Sequence, residues 1–173
     1  LLSTKPNPAH YAIAELEKHF DVQVVTQNVD DLHERAGSTR VTHLHGELMK
    51  LRSERNSELI VPIEGWEQPL DARAEDGALL RPHIVFFGAS VPMFDAATHI
   101  AAAADLMIVV GTSLAVYPAA MLVRYAKSGV PIYVVDPGNP DTSIIRNNPL
   151  THIKARAAEG MPELVERLKA ELK

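Results

Sequence analysis

Three short apolar runs constrain the fold of this 173-residue chain more than any other feature. They are Val22–Val25, Leu106–Val110 and Ile132–Val135, and segments with helical spacing lie between them. Strands that are apolar throughout are buried on both faces, which is typical of parallel sheets covered by helices. The sequence therefore predicts an α/β fold with a Rossmann-like, doubly wound parallel sheet.

The segments between these runs supply the other predicted elements. Ala9, Ile13, Leu16 and Phe20 follow a spacing of 4, 3 and 4 residues, which places them on one face of a helix. The remaining predicted helices are Pro92–Ala104, Pro118–Ser128 and Pro162–Leu172, and the additional predicted strands are Val41–Leu44 and Ile84–Phe87.

Residues 47–80 interrupt this pattern. They mix charged residues with prolines and glycines, and Leu59–Ile63 is their only apolar run. We therefore predict a main domain formed by residues 1–46 and 81–173, with residues 47–80 inserted as a small irregular lobe. Trp66 is expected in the core of that lobe, and a role as a wall of a substrate site is the alternative.

Composition excludes several classes of protein. The net charge of -5, without a run of like charges, argues against a nucleic-acid-binding face. The absence of cysteine excludes disulfides and thiolate metal sites, and it fits a cytoplasmic protein. No apolar stretch approaches the roughly 20 residues that a membrane-spanning helix needs.

Polar residues follow each of the three apolar runs. The first run leads into Gln27–Asp30, the second into Gly111–Ser113 and the third into Asp136. Because ligands of open α/β sheets bind at the carboxyl ends of the strands, we expect these residues to gather at one sheet edge and bind a nucleotide. Glycine lets a backbone approach a phosphate closely, and a carboxylate accepts hydrogen bonds from ribose hydroxyls.

Each of these residues also has a simpler interpretation. Gly111–Ser113 is also compatible with an ordinary turn, and Asp136 with a turn acid before Pro137 and Gly138. Gln27, Asn28 and Asp30 are also compatible with a cap for the helical turn that follows. Neither a GxGxxG nor a GxxxxGK[ST] phosphate loop is present.

Two histidines lie close to the first polar loop in sequence. His43 and His45 are two residues apart and would share one face of a strand, but no third ligand lies at a usual zinc spacing, so no metal site is predicted. Histidine is the side chain whose ordinary pKa suits proton transfer near neutral pH. The other histidines lack a motif and are expected at the surface or in packing.

Four segments resemble one family. TQNVDDLHERAGSTRVTHLHG strongly resembles the signature of the sirtuins, the NAD-dependent protein-lysine deacylases. RPHIVFFG, GTSLAVYPAA and AAEGMPELVERL resemble three further sirtuin segments in the same order, and PNPAHYAIAELE is similar to the helix before the signature. The resemblance covers nearly the whole chain apart from residues 47–79.

The resemblance implies a role for each site residue. His45 would be the catalytic base that accepts a proton from the nicotinamide ribose, while the acyl group moves from the substrate lysine to ADP-ribose. The implied NAD-binding residues are Gln27, Asn28, Val29 and Asp30 around the nicotinamide and its ribose, Gly111, Thr112, Ser113 and Asp136 around phosphate and ribose, and Ala157 against the adenine. The implied binding residues for an acyl-lysine protein or peptide are Val85, Phe87, Gly88 and Val116.

The chain departs from the sirtuin pattern in four ways. It has no cysteine for the usual zinc lobe, so we expect no zinc, a lobe held by packing alone and similarity to a cysteine-free bacterial subgroup. Ala89 stands where the family usually has an acid, and Asp136 stands where it often has asparagine. The chain also begins after the family's glycine-rich loop, which predicts an N-terminally truncated form.

Two other functions are compatible with the same residues. The first keeps the fold and transfers ADP-ribose onto a protein. The second is a module that binds NAD or ADP-ribose without turnover. Consumption of an acyl-peptide in step with nicotinamide release distinguishes the deacylase from both.

Overall fold

The computed structural model describes residues 3–63, 65 and 67–172, so the prediction for Trp66 lies outside the described residues. The α-helices are α1 (Pro8–Leu16), α2 (Leu32–Ala36), α3 (Phe94–Ala103) and α4 (Ala157–Glu171), and 3₁₀ helices span Ala119–Tyr125 and Thr142–Ile144. The strands are β1 (Val24–Thr26), β2 (Val41–His43), β3 (Gly46–Ser53), β4 (Ile60–Pro62), β5 (Leu80–Ile84), β6 (Met107–Val110), β7 (Ile132–Val135) and β8 (Leu150–Ile153).

A parallel sheet with the order β6-β7-β8 forms the centre of the fold. The middle strand β7 is buried along its whole length, as its uninterrupted apolar sequence predicts. Val110, Val135 and Ile153 pair across the sheet, so the residues that follow them lie side by side at its carboxyl edge. The α/β fold class is confirmed.

The first apolar run belongs to a different sheet. β1 pairs in parallel with β2, from Val24 opposite Val41 to Thr26 opposite His43, and no strand ladder joins β1 to β6 among the described residues. The three polar strand ends therefore fall on two sheets. We had expected all three at one sheet edge, and that expectation is wrong. The difference arises because an apolar run predicts burial on both faces but does not specify the neighbouring strand.

Helices α1 and α4 pack together against the central sheet. Asn7 caps α1, because its side-chain oxygen accepts hydrogen bonds from the backbone N–H groups of Ala9 and His10. Buried alanines and Leu16 of α1 contact Leu164, Val165 and Leu168 of α4 in one apolar cluster with the side chains of β7. This packing covers one face of the sheet.

Several predicted boundaries differ from the structure. α4 begins five residues before the predicted start, so Pro162 lies inside the helix and not in its first turn. The predicted helix Pro118–Ser128 is a shorter 3₁₀ helix over Ala119–Tyr125. β8 was missed, because Thr151 and His152 interrupt its apolar pattern. No described helix has both the length and the apolar character that spanning a membrane requires.

The predicted lobe, residues 47–80, contributes β4 and nearly all of β3 to an antiparallel sheet with the order β4-β3-β5. The prediction of a strand at Ile84–Phe87 is wrong: the strand is Leu80–Ile84, and Phe87 is fully exposed in the turn that follows. Phe86 and Phe87 are exposed and Ile84 and Val85 are half-buried, so the apolar pattern of this segment did not mark a buried strand. β5 also lies across the predicted lobe boundary at residue 80.

A polar cluster holds the lobe together. Ser53 is 1% exposed, and its hydroxyl donates to the Oδ2 of Asp76 at 2.7 Å. The same hydroxyl oxygen accepts from the backbone N–H groups of Arg55 and Asn56 at 3.1 Å each, and the Oδ1 of Asp76 accepts from the Ala78 N–H at 3.0 Å. The expectation of packing alone is therefore wrong, because hydrogen bonds tie the end of β3 to the turn before β5.

Candidate active site

The loop between β1 and α2 is folded by its own side chains. The hydroxyl of Thr26 accepts from the Asn28 N–H at 3.1 Å, and the Oδ1 of Asp30 accepts from the Leu32 N–H at 3.1 Å. Of the three residues in the capping alternative, Asp30 thus bonds the first N–H of α2, although the N-cap residue is Asp31, whose side chain makes no cap hydrogen bond. The carbonyl of Val29 accepts from the Leu48 N–H at 2.7 Å, which ties the loop to β3.

His45 lies in the turn between β2 and β3, and one of its ring nitrogens is already bonded. Its Nδ1 lies 3.1 Å from the carbonyl oxygen of Gln27. A carbonyl only accepts hydrogen bonds, so Nδ1 carries the proton of the neutral ring and Nε2 carries the lone pair. Leu44, which is 1% exposed, anchors the strand beside it through a 2.9 Å bond from its N–H to the Thr26 carbonyl. The structure thus leaves Nε2 as the basic atom.

Gly46 allows β5 to approach His45 directly. Its φ is 82°, and a Cβ at this position would lie 2.0 Å from the carbonyl oxygen of His83. The close approach allows the Val85 N–H to donate to the His45 carbonyl at 2.9 Å. Val85, a predicted substrate-binding residue, is therefore bonded to the residue that carries the base.

The remaining predicted substrate residues lie on exposed segments. Phe87 and Gly88 form the central part of a turn closed by the Ala89 N–H, which donates to the Phe86 carbonyl at 3.0 Å. Val116 is also exposed, in the segment between Ser113 and the first 3₁₀ helix. Both segments expose large apolar side chains, Phe86 and Phe87 on the first and Val116 and Tyr117 on the second.

A second group of predicted residues lies at the carboxyl edge of the central sheet. Gly111 has a φ of 60°, and its N–H donates to the Val135 carbonyl at 3.0 Å. The Thr112 hydroxyl accepts from the Leu114 N–H at 3.2 Å, and the Ser113 carbonyl accepts from the Asp141 N–H at 3.1 Å. The turn interpretation of this segment is confirmed, and the Thr112 hydroxyl hydrogen stays available for a ligand.

Asp136 follows β7 directly beside this turn. Its Oδ1 accepts from the Gly138 N–H at 2.7 Å, so it is a turn acid, as one of the two interpretations held. Among the hydrogen bonds of the described residues, its Oδ2 has no donor, and it is available to a hydroxyl group. A ligand-binding role and the turn role are therefore compatible.

The start of α4 lies behind the same edge. Ala157 is the first helical residue and packs against the apolar cluster of α1, α4 and β7. A Cβ at Gly160 would lie 2.7 Å from the Cγ1 of Val135, so glycine lets the helix approach the end of β7. Sequence analysis did not single out Gly160 or Gly46, although a glycine next to a His-Leu-His segment is a detectable signal.

Two further histidines pack near Asp30. His33 is buried, and its ring lies edge-to-face against His10 with centroids 4.9 Å apart. Burial lowers the pKa of His33, and the positive charge of His10 lowers it further, while Glu34 and Asp30 oppose the shift. Burial also lowers the pKa of His10, against the opposing charge of Asp30. The prediction of a packing role is confirmed for His33.

Glu34, His43 and Glu47 place potential metal-binding atoms within 4.8 Å of one another. The Nε2 of His43 lies 2.8 Å from the Oε1 of Glu34, and the Oε2 of Glu47 lies 2.7 Å from the Nζ of Lys50. These are hydrogen-bond and ion-pair distances, so the protein's own groups account for the cluster. Sequence analysis considered His43 only as half of a zinc pair and missed Glu34 altogether.

The predicted residues thus form two groups. One surrounds His45 and includes the loop at Gln27–Val29 and the start of the 85–88 segment. The other surrounds Gly111 and includes Asp136. Asp30 lies beside the first group, in the loop that leads into α2, and Ala157 lies beside the second group, at the start of α4.

Comparison with known proteins identifies the fold around these groups. The pattern of the Sir2 family matches residues 1–118. An NAD-dependent protein deacylase of Aggregatibacter actinomycetemcomitans is 51% identical over 147 residues, which are 85% of this chain and 68% of that protein. An NAD-dependent protein deacylase of Bacteroides thetaiotaomicron is 45% identical over 173 residues, covering 97% of this chain and 73% of that protein.

Solved structures agree with this comparison. A Sir2 homologue in complex with NAD superposes with a TM-score of 0.82 at 37% identity, covering 99% of this chain and 68% of the other. A Sir2 protein bound to an acetylated peptide superposes with a TM-score of 0.76 at 32% identity, covering 97% and 73% of the two chains. The family match, the identities and the superpositions together show that the chain belongs to the Sir2 family.

Proposed function

We propose that the protein is an NAD-dependent protein-lysine deacylase that releases nicotinamide and transfers the acyl group to ADP-ribose. The observation that carries the proposal is the state of His45, whose Nδ1–H donates to Gln27 and whose Nε2 is left as a base. Relatives named NAD-dependent protein deacylase support the same function.

The residues around Gly111 fit the ribose and phosphate groups of NAD. The left-handed turn at Gly111 has no atom within 4 Å of the position a Cβ would take, so a phosphate can approach the backbone there. The free hydrogen of the Thr112 hydroxyl and the Oδ2 of Asp136 supply one donor and one acceptor for the ligand. We assign phosphate and ribose binding to Gly111, Thr112, Ser113 and Asp136, and the adenine contact to Ala157.

The residues around His45 fit the nicotinamide end of NAD, where the reaction takes place. NAD supplies an anomeric carbon with nicotinamide as its leaving group. We assign Gln27, Asn28, Val29 and Asp30 to the nicotinamide and ribose pocket, where Nε2 of His45 accepts the proton of a ribose hydroxyl. The hydrogen bond from Nδ1–H to the Gln27 carbonyl stabilises the imidazolium that results.

The acyl-lysine substrate fits the exposed segments near His45. The Val85 N–H is already bonded to His45, so it is not available to a peptide backbone. We therefore assign backbone pairing with the peptide to Phe87, Gly88 and Val116, and the acyl-chain contact to Val85. The solved Sir2 complex with an acetylated peptide supports a substrate of this class.

We further propose that the protein acts in the bacterial cytoplasm without zinc and without nucleic acid. Both named relatives come from bacteria. The absence of cysteine removes the thiolates that a structural zinc lobe uses, and the acidic net charge disfavours binding to nucleic acid.

Replacing His45 with alanine tests the proposal. Nicotinamide release from NAD is measured with an acetyl-lysine peptide, in the 173-residue chain and in a form extended to the length of its relatives. Loss of product with ADP-ribose binding retained is the expected result, because the base is removed and the ribose and phosphate contacts stay. Binding of ADP-ribose by the unsubstituted protein without any nicotinamide release would instead identify a binding module.

A further inference from the structure

His43 contacts an acceptor with each of its two ring nitrogens. It is 8% exposed, its Nδ1 lies 3.1 Å from the Asn28 carbonyl oxygen, and its Nε2 lies 2.8 Å from the Oε1 of Glu34. A carbonyl only accepts hydrogen bonds, so Nδ1 of His43 donates its proton to Asn28. The contact of Nε2 with Glu34 holds the other side of the ring, and the two contacts together fix the orientation of the imidazole.

His43 and His45 bond to neighbouring carbonyls of one loop. The bonds continue the β1–β2 pairing beyond the end of the strands, since they follow a main-chain bond at Leu44. The Thr26 carbonyl accepts from the Leu44 N–H. The Gln27 carbonyl accepts from the His45 ring, and the Asn28 carbonyl accepts from the His43 ring. A shift of the Asn28 carbonyl would move the adjacent peptide, and with it the Gln27 carbonyl.

We propose that His43, held in place by its contact with Glu34, is a positioning residue that fixes the Asn28 carbonyl and thereby keeps the Gln27 carbonyl on the Nδ1 of His45. The bond at Nδ1 sets the tautomer of His45 and leaves Nε2 unprotonated. Without it, the proton is free to move to Nε2, and the ring is then no longer a base at that atom. The inference rests on the proposed function in one respect, the role of His45 as the base.

Two substitutions of His43 separate its two hydrogen bonds. Asparagine places its amide nitrogen near the position of the imidazole Nδ1, so His43→Asn keeps the bond to Asn28 and loses the one to Glu34. Glutamine reaches to the position of Nε2, so His43→Gln keeps the contact with Glu34 and leaves the Asn28 carbonyl unpaired. Glutamine is closer to histidine in size, so a role in packing alone predicts that His43→Gln is the milder change.

Ring ¹⁵N chemical shifts report the state of both histidines without substrate. In the unsubstituted protein, we expect the Nδ1 of both histidines to carry a proton and the Nε2 of His45 to carry none, because each Nδ1 faces a carbonyl oxygen. Glu34→Gln keeps a polar partner for the Nε2 of His43 and should leave the His45 tautomer unchanged. His43→Gln should mix the tautomers of His45, whereas His43→Asn should not. These states decide the positioning role even if the protein releases no nicotinamide, which would overturn only the proposed function.

Turnover provides the second measurement. We expect kcat for nicotinamide release to fall about 100-fold in His43→Gln, with KM for NAD changing much less, because the base is misplaced and not removed. His43→Asn should retain most of the rate. His99→Gln is the control, since His99 is exposed on α3 and, among the described residues, its ring bonds to the Asp95 carbonyl of its own helix and to no other group.

Three results would overturn the proposal. The first is a His43 without a proton on Nδ1 in the unsubstituted protein, because such a ring cannot donate to the Asn28 carbonyl. The second is an equal loss of turnover, or an unchanged His45 tautomer, in both His43 variants. The third is a shift of the His43 signals together with a gain in activity on addition of Zn²⁺, which would identify Glu34, His43 and Glu47 as a metal site. If His43→Gln does not fold, the first measurement still decides, because it needs no variant.

Discussion

Replacing Gly46 with alanine should separate β5 from His45. A Cβ there would lie 2.0 Å from the His83 carbonyl oxygen, and real Cβ contacts are not shorter than 3.0 Å, so the two strands must move apart by about 1 Å. The left-handed backbone conformation costs about 1–3 kcal/mol for a residue other than glycine, and loss of the Val85–His45 hydrogen bond costs about 1 kcal/mol more. The expected decrease in the free energy of unfolding is therefore about 2–4 kcal/mol.

Gly129→Ala is the matched control for this change. Gly129 has a φ of 85°, close to the 82° of Gly46, but no atom lies within 4 Å of its added Cβ. Urea unfolding of both variants isolates the steric part of the effect. Nicotinamide release should fall about 100-fold in Gly46→Ala, since a displacement of about 1 Å at a reacting group has an effect of that size, and it should stay unchanged in Gly129→Ala. Equal losses of stability and equal activities would refute the close-approach argument.

Three further predictions concern the lobe and the core. Ser53→Ala should lower the free energy of unfolding by about 1–3 kcal/mol in urea titrations, because two backbone N–H groups lose their buried acceptor. Hydrogen bonds from Ser53 and from the Ala78 N–H lower the pKa of Asp76 from 3.8. The ionised carboxylate therefore stabilises the folded state above pH 3.8, and this stabilisation is lost as the pH falls below that value. Asp76→Asn should remove this acid dependence of the melting temperature. Burial lowers the pKa of His33 from 6.5, so the unfolded chain binds more protons at this residue than the folded chain does. The free energy of unfolding therefore decreases as the pH drops below 6.5. In thermal melts, the melting temperature of His33→Leu should decrease less over this pH range.

The buried parts of the fold were predictable because burial leaves a direct mark on sequence. β7 has four consecutive apolar residues and is buried throughout, and the apolar faces of α1 and α4 meet as their spacing predicts. The pairing of β1 was not predictable in the same way. The apolar residues of β1 indicate that both faces of the strand are buried. They do not indicate that β2 is its neighbour, because that pairing depends on how the rest of the chain folds.

The exposed segments show the opposite case. Phe86 and Phe87 gave the 84–87 segment the apolar pattern of a buried strand, but both side chains face solvent in a turn. The lobe was predicted to be irregular because its apolar residues are few. Its strands are held instead by hydrogen bonds from Ser53 and Asp76, which periodicity of apolar residues does not detect.

Residues of the candidate site were predictable by type, and their geometry was not. Gln27 was proposed to contact NAD, yet the structure shows its main-chain carbonyl, and not its amide, on the Nδ1 of His45. Any residue at that position has such a carbonyl, so side-chain chemistry gave no signal for it. The pairing of Glu34 with His43 also depends on the approach of α2 to β2, across nine residues of sequence.

The most direct test of the deacylase function is the stoichiometry of the reaction with NAD and an acetyl-lysine peptide. Free nicotinamide, deacylated peptide and acylated ADP-ribose are quantified together by mass spectrometry, in the 173-residue chain and in the extended form. We predict that the three products form in equal amounts and that His45→Ala abolishes all of them. Nicotinamide release with an intact acetyl-peptide and ADP-ribose attached to protein would contradict the account and identify an ADP-ribosyltransferase.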